Sequence, residues 1–225
     1  TKGFRDILEI GRQTRPNFYD WYEDRPVPLI PRYLRLEVSE RISSAGEVLA
    51  PLDEGDIYAA AKAFKDERVQ AVRDRLAVAG RSKPNIITIE WIDPIYIGGM
   101  WLPEMIDIVG GKVCIAESGQ PAPIVSREDL AKIDPDVVVV KPCGYKLDQT
   151  LKELDLLKKQ IPAWSNSPRV YLVDGNSYFN RPGPRILDSL EILAYCTHPN
   201  LFPEFGEQYK EGIISLRPGL QLPSN

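Results

Sequence analysis

The alternation of apolar and polar residues predicts a short β-containing segment at the start of the chain. Between residues 33 and 42 apolar side chains alternate with polar ones as in a β-strand, and SSAGE at 43–47 predicts a turn before residues 48–51. Three prolines between residues 26 and 31 exclude a helix just before this strand, because proline lacks a backbone N–H. We therefore expect residues 1–52 to form a distinct segment.

After this segment the apolar residues follow a helical period. Apolar side chains recur every three or four positions from Ile57 to Leu76, Asp53 can cap the first turn, and Gly80 can end the last one. This pattern predicts one helix of about 25 residues, which we place at 53–80.

From residue 81 to residue 225 the pattern changes to strands that alternate with helices. This order favours an α/β fold with a parallel sheet flanked by helices. The four consecutive valines at 137–140 indicate a strand that is covered on both faces. The predicted strands are 85–92, 136–142 and 169–174, and the predicted helices are 102–111, 126–133, 146–161 and 183–196.

Composition excludes several classes of function. The chain has 225 residues, 43% of them hydrophobic, which is enough for a sizeable core. Its 28 basic and 32 acidic residues are mixed without a basic run, so we expect no nucleic-acid partner. No apolar run approaches the roughly 20 residues of a membrane span. Three widely spaced cysteines and the lone His198 favour neither a metal site nor a Ser-His-Asp triad.

The candidate chemistry lies in the loops after the three strands. Ligands of open α/β sheets bind outside the carboxyl ends of the strands, and these loops combine aromatic rings with glycine and proline. The rings either bind a large, partly apolar ligand or cover the sheet edge. We predict a ligand site formed by Trp91, Asp93, Tyr96, Trp101, Tyr145, Tyr178, Phe179 and Arg181.

Catalysis has weaker support in the sequence. Glu90, Asp93, Glu104 and Asp174 lie near loop tips and could supply a carboxylate pair. However, aspartate before proline or glycine is also an ordinary turn residue. We therefore expect no catalytic residues and no enzyme activity.

Three ordered motifs carry a resemblance to a known family. The segments IEWIDPIYIGGMWLPEMIDIVGG, SREDLAKIDPDVVVVKPCGYKLDQTLKEL and RVYLVDGNSYFNRPGPRILDSLEIL resemble the carboxyl-terminal lobe of cobalamin-binding, periplasmic-type substrate-binding proteins of ABC importers, over about residues 65–205. In that family one long helix joins two α/β lobes, and the corrinoid lies between the lobes. The resemblance implies that the helix at 53–79 is the connecting helix. It also implies that Tyr178 contacts the ligand, that no cofactor is needed, and that an ABC permease is a partner.

The first lobe of that family has no counterpart here. Residues 1 to about 55 instead resemble an internal stretch of the hydantoinase A and oxoprolinase family, whose phosphate loops and catalytic residues lie outside the matched stretch. We therefore expect a fused or truncated chain, a weaker affinity than a complete clamp would give, and a second wall supplied by another chain or by a homodimer.

Alternatives remain open at this point. The chain could be a fragment of an ATP-dependent hydantoinase or oxoprolinase, or a folded lobe whose vestigial site now serves oligomerisation. Corrinoids, haem and iron chelates all suit rings and glycines. The compartment is open as well, since family resemblance implies a periplasmic or extracellular location, whereas the lack of a visible signal favours the cytoplasm.

Overall fold

The computed structural model describes residues 54–80, 83–180 and 185–223. The strand and turn predicted within residues 1–52 lie outside these residues. The chain divides into two compact units, Thr1–Ala71 and Val72–Asn225. The division of the chain at 52 and 80 stays a prediction.

Helix α1 spans Glu54–Ala79 and confirms the long helix predicted at 53–80. Gly80 follows it with a φ of +55°, a conformation that glycine adopts without steric cost. Within the second unit, Val72 is 1% exposed and belongs to the core. The Arg75 guanidinium donates to the Glu204 carboxylate and lies 4.6 Å from the centre of the Phe202 ring. These contacts fix the last turns of α1 within the second unit.

A six-stranded sheet forms the centre of the second unit. Its order is β2-β1-β4-β5-β6, and β3 also pairs with β1. Strands β1, β3, β4 and β5 are parallel, whereas β2 and β6 are antiparallel to their neighbours. The strands are β1 Asn85–Trp91, β2 Tyr96–Ile97, β3 Lys112–Val113, β4 Val137–Val140, β5 Arg169–Val173 and β6 Ile213–Leu216.

Helices lie between these strands along the chain. They are α2 Leu102–Ile108, α3 Arg127–Leu130, α4 Leu147–Lys152, α5 Leu154–Gln160, α6 Gly175–Tyr178, α7 Ile186–Thr197 and α8 Pro203–Gln208. Ser126 caps α3 as predicted, because its side chain accepts a hydrogen bond from the backbone N–H of Asp129 at 3.1 Å.

The core extends over both faces of β4. All four valines of β4 are fully buried, which confirms the interpretation of this apolar run. Val138 and Val140 belong to a cluster with Leu130 of α3 and Leu157 of α5. Helix α7 contacts both β4 and α2. The α/β class and the sheet flanked by helices are therefore confirmed.

Three details differ from the sequence prediction. The predicted helix at 146–161 is broken at Glu153, which ends α4 and precedes α5. Strands β2 and β3 were not predicted, since each has two residues and lacks a period. Strand β6 follows the last predicted helix and closes the sheet in the antiparallel direction, so the parallel sheet has antiparallel edges.

Candidate functional site

The carboxyl ends of β1, β4 and β5 bring the three predicted loops to one edge of the sheet. In the parallel register Ile89 of β1 pairs with Val140 of β4, and Val140 pairs with Leu172 of β5. The residues that follow each strand therefore start side by side. We call this the carboxyl edge.

Two aromatic rings meet at the carboxyl edge. Trp91 ends β1 and is 36% exposed, and its ring centre lies 5.3 Å from that of Tyr145 in an edge-to-face arrangement. The indole N–H of Trp91 donates to the carbonyl oxygen of Asp93 at 3.0 Å, which fixes the orientation of the indole. The peptide bond between Asp93 and Pro94 is cis. The exposed indole and the phenol ring thus form a partly apolar surface with a fixed geometry.

These rings line a shallow depression of about 230 Å³. Two carboxylates, from Asp93 and Glu153, lie in its lining, and the described residues that line it include no cationic side chain. A depression with rings and carboxylates can contact a flat, partly apolar molecule and accept hydrogen bonds from it. The lining consists of Trp91, Ile92, Asp93, Pro142, Tyr145, Glu153 and Leu156.

A buried lysine lies beneath this edge. Lys141, directly after β4, is 1% exposed, and its ammonium lies 3.1 Å from the Glu90 carboxylate oxygen Oε2 at the end of β1. The same ammonium lies 5.6 Å from the centre of the Phe179 ring, which follows β5. Lys141 therefore connects all three loops of the carboxyl edge, and we call Glu90, Lys141 and Phe179 the clasp.

Backbone contacts hold the loop after β4 and the loop after β5 close together. The backbone N–H of Asn176 donates to the Tyr145 carbonyl at 3.0 Å. A side chain at Gly175 would place its Cβ 2.2 Å from the Pro142 carbonyl oxygen, a distance that no packed Cβ tolerates. Glycine at 175 is therefore required for these loops to meet.

Asp174 serves as a helix cap. Its carboxylate accepts from the backbone N–H of Ser177 at 2.7 Å and from the Ser177 hydroxyl at 3.0 Å, so it begins α6. This confirms the turn role that the sequence favoured for Asp174. Partial burial raises the pKa of the thiol of the nearby Cys143.

The structure brings together part of the predicted set. Trp91, Asp93 and Tyr145 line the depression. Tyr96 lies beside Trp91 as its cross-strand partner on β2, outside the depression. Trp101 directly precedes α2, also outside it. Arg181 lies outside the described residues.

The other two predicted rings pack against neighbouring side chains, Phe179 buried and Tyr178 half-buried. Phe179 is 2% exposed, with the Lys141 ammonium over its ring. The Tyr178 ring packs edge-to-face on Tyr209, 5.7 Å between centres, and against Gly212, where a Cβ would lie 2.6 Å from it. Burial raises the pKa of the Tyr178 phenol. A ligand role for these residues stays a prediction.

Sequence reasoning missed Glu153 and Leu156 in the lining of the depression, and Lys141 in the clasp. Glu153 and Leu156 reach the depression because α4 ends and α5 begins there, and their three-residue spacing on a helix was the available signal. Lys141 carried no signal, because a lysine after a strand is normally solvated.

The described residues lack two further features. They contain no group of three or more histidine, cysteine or acidic side chains arranged to hold a metal ion. None of their helices combines the length and the apolar character needed to cross a bilayer.

Comparison with known protein families gives a match for the first part of the chain. Residues 1–78 match the hydantoinase/oxoprolinase N-terminal region. An uncharacterized protein of Methanocaldococcus jannaschii is 44% identical over 72 residues, and the caprolactamase subunit alpha of Pseudomonas jessenii is 40% identical over 74 residues. Each match covers 32% of this chain and 11% of the relative. The chain therefore spans a small part of these relatives. The hydantoinase-like stretch is confirmed, and it extends to residue 78 rather than to about 55.

Comparison with solved structures concerns the fold. A periplasmic heme binding protein from Pseudomonas aeruginosa is similar with a TM-score of 0.52 and 16% identity, over 87% of this chain and 64% of that one. A periplasmic solute binding protein from Veillonella parvula is similar with a TM-score of 0.53 and 17% identity, over 71% of this chain and 51% of that one. The fold is thus that of periplasmic binding proteins, and the chain spans about two thirds or less of these neighbours.

Proposed function

We propose that the chain is a non-enzymatic binding module for a flat macrocycle of the corrinoid class, similar to one wall of the substrate-binding component of an ABC importer. The observation that carries the proposal is the oriented Trp91–Tyr145 pair beside the depression at the carboxyl edge. The fold of the second unit supports it, since this edge is where open α/β sheets bind ligands.

The charge of the depression favours a corrinoid over haem. Haem carries two carboxylates, which Asp93 and Glu153 would repel. Cobalamin carries several amide side chains, whose N–H groups can donate to these carboxylates. The acidic lining therefore supports an amide-bearing macrocycle.

The size of the depression limits the affinity. Complete ligand pockets measure roughly 300–1,000 Å³, and this one, at about 230 Å³, holds one edge of such a ligand. We expect a dissociation constant on the order of 0.1–1 mM for the chain alone. A second chain or an ABC permease would supply the opposing wall.

Equilibrium dialysis tests the proposal, because cobalamin and haem are coloured and can be quantified by absorbance. We expect cyanocobalamin to bind more tightly than hemin. The variants Trp91→Ala and Tyr145→Ala should each weaken cyanocobalamin binding about tenfold, since a lost ring removes apolar contact worth roughly 1–2 kcal/mol.

Tyr195→Ala is the matched control. Tyr195 lies on α7, where its ring contacts Tyr171 at 6.0 Å rather than the depression. Cyanocobalamin binding should be unchanged in this variant. Absence of binding at millimolar ligand, or equal losses in all three variants, would contradict the proposal.

A second candidate function rests on the match of residues 1–78 to the hydantoinase family. In this alternative the chain is a fragment of an ATP-dependent amidohydrolase. ATP-dependent turnover of hydantoin or 5-oxoproline would support this candidate, and the same Trp91→Ala variant should leave that turnover unaffected.

A further inference from the structure

A larger cavity lies at the opposite edge of the sheet. It measures about 510 Å³, which is within the size range of ligand pockets. Its walls come from the residues before or at the amino ends of β1, β4 and β5 and from the carboxyl end of α7. We call it the amino-edge cavity. Its polar lining includes Lys83, Asp136, Asn166, Arg169, Thr197 and Asn200.

Two cationic side chains and one carboxylate give the lining a positive balance. Asp136 already accepts a hydrogen bond from the backbone N–H of Asn85 at 2.7 Å, which partly compensates the negative charge of its carboxylate. Lys83 lies 3.1 Å from Asp107, but both side chains are mostly exposed, so this pair is weak and open to exchange.

Arg169 is the central donor of the cavity. Its Nη2 donates to the Thr197 carbonyl at 2.8 Å, which offsets the negative end of the α7 dipole. A guanidinium has five N–H groups in a planar fork, so further donors remain for a carboxylate or phosphate.

Thr197 and Asn166 also belong to this wall. Asn166 donates to the Pro135 carbonyl at 2.6 Å, which fixes its amide at the cavity wall.

We propose that the amino-edge cavity binds a small organic anion, with Arg169 and Lys83 as the groups that contact its carboxylate or phosphate. Asn200 is exposed at the cavity and supplies amide groups for hydroxyls of the same ligand. This site is separate from the aromatic carboxyl edge, because the two linings share no residue.

Calorimetric titration of the full chain tests the proposal with three probes. Citrate presents carboxylates, glucose 6-phosphate presents a phosphate with hydroxyls, and glucose presents hydroxyls alone. We expect at least one of the two anions to bind with a millimolar or lower dissociation constant and glucose not to bind. Arg169→Gln should weaken the binding at least tenfold, and Lys83→Gln should weaken it several-fold.

Arg127→Gln is the matched control, since it removes the same charge from α3, outside the cavity. Anion binding should be unchanged in this variant. Lys83 is 63% exposed, so Lys83→Gln keeps the test valid if Arg169→Gln does not fold. The proposal is overturned if neither anion binds, if glucose binds equally well, or if Arg127→Gln weakens binding as much as Lys83→Gln.

Discussion

At the scale of single residues, Lys141 forms a buried ion pair at the carboxyl edge. Its ammonium is buried against Glu90, whose side chain is 21% exposed. Lys141→Met leaves Glu90 without its partner, and we expect a loss of about 3 kcal/mol in the free energy of unfolding, measured by urea denaturation. The double variant Glu90→Gln/Lys141→Met should recover part of this loss, because no unpaired charge remains.

The exposed pair Lys132–Asp129 provides the control for this prediction. Its side chains are 74% and 58% exposed, so Lys132→Met should lower the free energy of unfolding far less than Lys141→Met does. Equal losses in Lys132→Met and Lys141→Met would show that the clasp contributes no special stability.

The same residues show what the sequence could predict at this scale. Trp91 and Tyr145 were predicted from loop position and composition, because strand ends fix where a loop begins. Phe179 was predicted by the same logic but is buried, with the Lys141 ammonium over its ring, because tertiary packing decides which way a ring points. Loop composition does not contain that information.

At the scale of elements, α1 and α8 are joined by the ion pair of Arg75 and Glu204. The hydrogen bond from Arg75 lowers the pKa of Glu204 from its ordinary value of 4.5. A lowered pKa in the folded state stabilises the fold above the ordinary pKa, and this contribution is lost as the pH falls through the lowered value. The side chains are 41% and 49% exposed, so solvent screening keeps the contribution small.

We therefore expect Glu204→Gln to lower the melting temperature slightly at pH 7, by about 2–4 °C. The difference from the parent should shrink as the pH falls below 4.5 and should vanish below the lowered pKa. Differential scanning calorimetry across this pH range measures the effect. Glu117→Gln, an exposed carboxylate outside this pair, should show no such trend; a constant difference at every pH would contradict the linkage.

Element prediction succeeded where a period or a long run exists. The valine run of β4 predicted a strand that is buried on both faces, and the helical period of α1 predicted one long helix. The two-residue strands β2 and β3 were missed, because their pairing with β1 rather than a local pattern creates them. The break at Glu153 was missed as well, because the apolar period continues across it. Strand β6 pairs with β5 across a long stretch of chain, which no local pattern predicts.

At the scale of the whole molecule, the order of the sheet predicts where the second unit is most stable. Strand β4 pairs with β1 on one side and with β5 on the other, and its four residues are fully buried. Strand β3 has two residues, pairs with β1 and contributes no buried side chain, whereas Tyr96 of the equally short β2 also forms an isolated bridge with Ile124. Local opening should therefore release β3 without disturbing β4.

Native-state hydrogen exchange measures this difference. Backbone amides at 137–140 and 170–172 should exchange only when the second unit unfolds globally, because both neighbours of each strand must separate first. Amides at 112–113 should exchange on the order of a hundredfold faster, since releasing β3 costs a few hydrogen bonds and neither of its side chains is buried. Equal protection of the two groups would mean that β3 opens together with the core, and the sheet would then behave as one cooperative unit up to β3.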